Sequence, residues 1–368
     1  MSNEKDNINE LIRQSLQRRT GCSSHNYNKL QQNKKFKTVE DHRYINKHVI
    51  NTPKQFNKIS SPRKQFKNLI RSNFKDFKFS TIKSTMKRLD LQHGCFNGCI
   101  IKNKFKDNEY ICAYRENEEN IYLCRLDYKF DIIPLSLFSL DLYHSADPRL
   151  IWTKDNELLM IYSFYEEKME SEHILGRVVL DSANKYLINK PFRISPRNLN
   201  SRQKNWVPFM HNNNIYFIGE IKPHTVYKMN DLADEKTELV YVVDWESKWF
   251  NSSHMRGSTP PVLFNNDTFL STFHTVETYG NVHFYDNGFY LFKSTPPFNV
   301  IKCAYKTFLP AESACEPYFR KHEDIVCPFA MGMVIEEENL HISYGDNDSS
   351  VKILSTTINE AMSNLGIA

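Results

Sequence analysis

The chain has 368 residues, 48 Lys+Arg against 43 Asp+Glu, a formal net charge of +5, 40% hydrophobic residues and eight cysteines. No apolar leader follows Met1 and no apolar run approaches the roughly 18 residues that span a bilayer, so the expectation is a cytoplasmic protein with no transmembrane segment. GxGxxG, phosphate-loop and GxSxG patterns are all missing, which argues against the commonest nucleotide-binding and serine-hydrolase readings.

The modest net charge hides two pieces. Residues 1–88 hold 21 Lys+Arg and 6 Asp+Glu, a balance of +15, and leave 27 against 37, a balance of −10, for residues 89–368. The first piece is rich in Asn, Gln, Lys and Ser and poor in branched apolar residues, so it reads as a basic, partly disordered or helical N-terminal extension. Helical spacing runs through Ile8, Leu11, Ile12 and Leu16, and again through Phe66, Leu69, Ile70, Phe74 and Phe77. FKFSTI at 77–82 has the alternative reading of a strand that closes a ring. A polybasic tail also attracts phosphate, which leaves an adaptor for nucleic acid or anionic surfaces as an alternative function.

From residue 89 onward the pattern changes to a repeat. Five times an apolar stretch runs into a short Asn/Asp/Glu/Lys turn and then into a second apolar stretch: GCIIKNKFKDNEYICAYR ending at Arg115, PRLIWTKDNELLMIYSFY at 148–165, PFMHNNNIYFIGEI at 208–221, PVLFNNDTFLSTFHTV at 261–276 and GMVIEEENLHISYGDND at 332–348. Each arm has the length and the Ile, Val, Phe, Tyr and Leu content of a strand, and the separators supply turn chemistry. The spacing leaves room for about four strands per unit, which predicts an all-β, five-bladed β-propeller. The cysteines at 22, 95, 99, 112, 124, 303, 315 and 327 form no CxxC pair and read as reduced core thiols. His93, Cys95 and Cys99 lack a second ligand pair, so no metal is expected.

In a propeller the start of each inner strand and the end of its antiparallel partner share one rim. At strand starts stand Asn97, Asp147 with Arg149, Lys204 with Asn205, and Arg256 with Ser258 and Thr259. At strand ends stand Arg115, Glu220 with His224, His274 with Glu277, and Asp346 with Asp348. Singly, such residues satisfy turns; together they describe a polar pocket suited to a hydroxyl-rich ligand. Trp206, Tyr162, Tyr279, Tyr285 and Tyr344 lie near the same segments, where they either pack in the core or stack on sugar rings.

ADPRLIW at 146–152 resembles the catalytic Glu-Asp-Pro-Arg segment of glycoside hydrolase family 130, five-bladed propellers that include inverting β-mannoside phosphorylases and β-1,2-mannosidases. The resemblance continues through FNGCII at 96–101, CAYR at 112–115, KNWVPF at 204–209, RGSTPPV at 256–262, FHTV at 273–276, CPFAMG at 327–332 and YGDNDSSVKIL at 344–354. Protozoal and fungal β-1,2-mannosyltransferases are similar as well.

The resemblance implies a carbohydrate-active enzyme that breaks or forms β-mannoside-type bonds with inversion, by phosphorolysis, hydrolysis or transfer. It implies Asp147 as general acid, Asn97, Arg115, Arg149, Asn205, Tyr344 and Asp348 as sugar ligands, and Lys204, Arg256 and His274 as ligands of phosphate or a sugar phosphate. A hydrolytic version needs a carboxylate base, for which Glu220 and Glu277 are the candidates. No cofactor is implied beyond a phosphate co-substrate, and the expected partner is an oligosaccharide or glycan. Ala146 stands where the family has Glu, and no Arg stands at 166–168, so a non-catalytic glycan-binding propeller remains a second reading.

Overall fold

The computed structural model describes residues 82–92, 94–116, 120–165, 171–180, 185–194, 205–229, 232, 236–246, 255–279, 282–304, 307–309 and 325–367. The two helices expected within residues 1–77 lie outside the described residues, as do Lys204 and His93. The described chain opens on β1 (Thr85–Arg88) and then runs through four consecutive sheets. The first contains β2 (Phe96–Lys102), β3 (Glu109–Arg115), β4 (Ile121–Asp127) and β5 (Phe138–Ser139), and the second β6 (Ser145–Trp152), β7 (Leu158–Tyr165), β8 (Ser171–Leu180) and β9 (Tyr186–Arg193). The third contains β10 (Val207–His211), β11 (Asn214–Ile218), β12 (His224–Met229) and β13 (Thr237–Val243).

In the fourth sheet β14 (Met255–Gly257) and β15 (Val262–Asn265) both pair with β16 (Thr268–Tyr279), which continues to β17 (Val282–Lys293) and β18 (Val300–Cys303). A short β19 (Ile325–Val326) follows. The fifth sheet runs β20 (Pro328–Glu336), β21 (Asn339–Asp346) and β22 (Ser350–Thr357), ends in α1 (Ile358–Asn364), and takes β1 as its outer strand. Five antiparallel blades of a propeller are therefore present, one for each expected hairpin.

Ring closure is made by β1 against β22, with Thr85 opposite Ser355 and Arg88 opposite Lys352. The described closing strand is TMKR, and FKFSTI lies outside the described residues except for Ile82. That residue is buried in the core shared by blades three to five. An outer strand needs only one partner for its backbone and keeps charged side chains on its open edge, so TMKR carries none of the apolar alternation by which inner strands are recognised.

The fourth hairpin also differs from its expected form. Its first arm is broken into β14 and β15, because Pro260 and Pro261 stand between them and cannot donate to a ladder. At the break the Ser258 N–H still bonds the Thr272 carbonyl of its own blade, while its carbonyl accepts from Arg149 of the second blade.

Inner strands are covered on both faces by adjacent blades, so β2, β6 and β20 are buried over most of their length. The third and fourth blades interlock through an aromatic wedge, in which Phe209 packs edge-on to Phe269, Phe292 and Phe298. Each fully buried phenyl ring removed from water stabilises the fold by roughly 2–3 kcal/mol. Five of the six described cysteines are buried and all six are free thiols. At the NNN separator, Asn212 and Asn213 both hold positive φ and close β10 on β11 by a two-residue turn.

The described residues fall into two compact units. The propeller is one; the other is described at 277–279, 282–284 and 325–326, where β19 pairs in parallel with the start of β17. Among the described residues no helix is long and apolar enough to cross a membrane.

Candidate functional site

Three consecutive blades use the same backbone device at the beginning of the inner strand. β2 carries a bulge between Phe96 and Cys99 with Asn97 at φ 50°, and β6 carries one between Ala146 and Arg149 with Asp147 at φ 54°. Asn205, just ahead of β10, has φ 68°. A bulge adds a residue and re-aims its side chain, and Asn and Asp tolerate the left-handed region at a cost of ~1 kcal/mol or less. The polar residue types at these three positions are therefore those the geometry selects.

The re-aimed side chains meet. Asn97 Nδ2 donates to Asp147 Oδ1 at 2.8 Å, across the join of blades one and two. Asn97 is buried and its position is backed by Gly345 of β21, where an added Cβ would lie 2.0 Å from Asn97 Oδ1. Asp147 itself is half-buried, so its carboxyl is both held and reachable.

Arg149 follows two residues later and is 1% exposed. Its three nitrogens donate to the Ser258 carbonyl at 2.8 Å, to the Asp147 carbonyl at 3.2 Å and to Asn205 Oδ1 at 3.2 Å. The guanidinium also lies over the Phe329 ring, 5.9 Å from its centroid. Desolvation lowers the pKa of Arg149, and Asp147 opposes that shift. Blades two, three and four are in this way tied to one buried cation.

His274 on β16 is opposite Arg256 on β14 and is likewise 1% exposed. Its Nδ1 is 2.9 Å from Ser258 Oγ and its Nε2 is 3.4 Å from Asn205 Nδ2, while Tyr285 stacks on the imidazole at 5.7 Å. Burial pushes its pKa well below the usual histidine value, helped by the charges of Arg256 and Arg149. Burial therefore favours the neutral imidazole, and both ring nitrogens face partners within the protein.

On the fifth blade, Asp348 follows β21 with φ 50° and is half-buried. Tyr285 and Cys327 are both pushed well above their ordinary values, first by burial and then by negative charges that include Asp348 and Asp147. The two carboxylates therefore border one neighbourhood, and Arg256 acts there with opposite sign on Tyr285. Beneath them Asp346 pairs with Lys352 at 2.7 Å, and both are buried.

The structure thus brings Asn97, Asp147, Arg149, Asn205, Arg256, His274 and Asp348 to one rim. Arg115 stands on the same rim, opposite Phe96 in register and 4.9 Å from the centroid of its ring. Glu220 occupies the loop after β11, where Ile221 N–H donates to the Met255 carbonyl beside Arg256. Glu277 belongs to the second unit and its side chain lies outside the described residues.

Tyr344 is fully buried and its hydroxyl reaches Met86 Sδ at 3.1 Å on the outermost strand. Trp206 and Tyr162 are also core residues, the former stacked on Tyr227 and His173. Tyr285, expected near the pocket, stacks on His274, while the Ser258 carbonyl and the edge-on contact of Phe329 with His274 are members of the cluster that the sequence reading did not name.

No protein-family model matches the sequence, and no curated protein matches it by sequence. Solved structures do match. A β-1,2-mannobiose phosphorylase from Listeria innocua in complex with β-1,2-mannobiose aligns with a TM-score of 0.54 at 15% identity, over 78% of this chain and 95% of that one. The chain has the fold of the glycoside hydrolase family 130 propellers. A mannose phosphorylase from Leishmania mexicana in complex with phosphate gives 0.53 at 12% identity over 80% and 92%. A structure from work on family 130 hydrolases that target β-1,2 mannosidic linkages in Candida mannan gives 0.52 at 12% over 73% and 85%. These three alignments cover 73–80% of this chain.

Proposed function

We propose that the protein is a carbohydrate-active enzyme that cleaves or forms a β-mannosidic bond with inversion, with Asp147 as proton donor and a phosphate group as the nucleophile or its product. The observation that carries this reading is the pairing of Asn97 Nδ2 with Asp147 Oδ1 across two bulged strands. Because the amide donates, Oδ1 is an acceptor, and the protonated carboxyl carries its hydrogen on Oδ2. One oxygen is thus held while the other is left to deliver a proton toward the glycosidic oxygen.

In the cleavage direction a phosphate oxygen attacks the anomeric carbon from the face opposite the leaving sugar. The carbon–oxygen bond to that sugar breaks, and the Asp147 proton ends on the released hydroxyl, giving an α-sugar 1-phosphate from a β-linked substrate. Arg256, half-buried at the start of the fourth blade, supplies a fixed positive charge for the phosphate, and Lys204 is assigned the same role. Asn205 is tied to Arg149 and His274, and Asp348 and Arg115 complete the rim as hydrogen-bonding groups for sugar hydroxyls. Support comes also from the solved relatives, which include a mannobiose-bound and a phosphate-bound phosphorylase.

Ala146 is fully buried where the family carries a glutamate, so the acceptor-side contact of that glutamate is absent and the second sugar is recognised by other groups. The test is incubation with β-1,2-linked mannobiose with and without inorganic phosphate, following mannose 1-phosphate and free mannose. Phosphate-dependent mannose 1-phosphate supports the proposal. Free mannose without phosphate moves it to hydrolysis, and sugar binding without turnover over a panel of β-mannosides and of mannose 1-phosphate with acceptors overturns it in favour of a glycan-binding propeller.

A further inference from the structure

Three polar side chains, with the hydroxyl and backbone carbonyl of Ser258, close a hydrogen-bonded ring from three blades beside Asp147. Arg149 Nε donates to the Ser258 carbonyl at 2.8 Å and Arg149 Nη2 to Asn205 Oδ1 at 3.2 Å; Asn205 Nδ2 lies 3.4 Å from His274 Nε2, and His274 Nδ1 lies 2.9 Å from Ser258 Oγ. All four residues are buried, none more than 6% exposed.

The direction of every bond in the ring follows from one fact. A guanidinium only donates, so Asn205 turns its oxygen to Arg149 and its amide hydrogens to His274. His274 Nε2 is then the acceptor, and a neutral imidazole carries its single hydrogen on Nδ1, where it donates to Ser258 Oγ. The groups that face the ring agree with a neutral imidazole: Arg149 on β6 and Arg256 on β14 are cations, while Phe329 on β20 and Tyr285 on β17 cover the ring edge-on and face-on.

We infer that His274 and Ser258 are positioning residues for the proton donor. The ring fixes the Arg149 guanidinium, whose remaining nitrogen reaches the Asp147 carbonyl at 3.2 Å and holds the left-handed bulge that aims the carboxyl. The inference rests on the reading of Asp147 as acid, and it gives His274 a role different from the phosphate ligand that the family resemblance implies. Its two nitrogens are already engaged within the protein.

Two measurements test it. His274→Phe keeps an aromatic ring and removes both bonds; the expected result is a kcat lowered roughly tenfold to a hundredfold, with the KM for inorganic phosphate unchanged within about twofold. Ser258→Ala lowers kcat in the same sense and adds little to His274→Phe, while His274→Asn, which keeps a donor toward Ser258 and serves if the Phe variant does not fold, recovers part of the loss. A raised KM for phosphate at unchanged kcat overturns the inference and makes His274 a direct ligand. Independently of turnover, imidazole nitrogen NMR of the intact protein at neutral pH is expected to show His274 with hydrogen on Nδ1 alone; hydrogen on Nε2, or on both, overturns the ring. Absent turnover by the unaltered protein sinks the functional reading, and the NMR result still decides the ring.

Discussion

Asn97 Nδ2 lies 2.8 Å from Asp147 Oδ1, and the two residues hold the same left-handed bulge at the start of consecutive inner strands. Substitution at Asn97 therefore has two separable effects. Asn97→Gly keeps the backbone conformation and deletes the donor, so the protein is expected to fold normally while kcat falls about tenfold or more. Asn97→Ala adds strain of ~1 kcal/mol, visible as a lower unfolding midpoint. Equal activity of the glycine variant and the unaltered protein contradicts the role given to this bond.

Gly345 offers a way to disturb the same bond without touching either partner. An added Cβ would stand 2.0 Å from Asn97 Oδ1 and 2.9 Å from its backbone nitrogen, too close for any relaxation short of moving Asn97. Gly345→Ala is expected to lower turnover at least as far as Asn97→Gly. The comparison is made by steady-state kinetics on the two purified variants.

Arg149 is the cation on which three blades converge. Arg149→Met leaves the Ser258 and Asp147 carbonyls and Asn205 Oδ1 without their donor in a buried place. Each orphaned buried acceptor costs about 1–3 kcal/mol, so a loss of roughly 3 kcal/mol or more is expected in denaturant unfolding. A loss below about 1 kcal/mol would mean that water already reaches these groups.

Much of this arrangement is legible in the sequence because it is written in hairpins. The five apolar pairs mark the blades, and their ends locate Asn97, Asp147, Arg149, Asn205, Arg256, His274 and Asp348 at one rim. What is not legible has definite physical causes. TMKR closes the ring through its backbone, and side-chain patterns do not report backbone pairing. The contact between Arg149 and Ser258 uses a carbonyl, which every residue type offers, so no residue choice could announce it.

Stability is expected to fall in mild acid. His224 on β12 is fully buried, donates from Nδ1 to the Phe298 carbonyl at 3.0 Å, and burial lowers its pKa from the ordinary 6.5 to about 4. Between these values the unfolded chain binds a proton that the folded protein refuses, so stability rises with pH through the window and is lost as pH falls from 6.5 toward 4. The shift corresponds to about 3 kcal/mol at the acid end. His274 acts with the same sign. Denaturant unfolding from pH 7 to 4.5 is expected to show this slope, and His224→Phe to flatten it; parallel curves for the two proteins would remove His224 as its source.

The role of Asp147 is tested most directly by pairing Asp147→Asn with two β-mannosides that differ only in leaving group. With a sugar alcohol as leaving group, which needs a proton to depart, the variant is expected to lose roughly a thousandfold in kcat. With an aryl leaving group acidic enough to depart unaided, the loss is expected to shrink below about tenfold. Full activity of the variant on the sugar substrate, or equal losses on both, would contradict the assignment of Asp147 as proton donor.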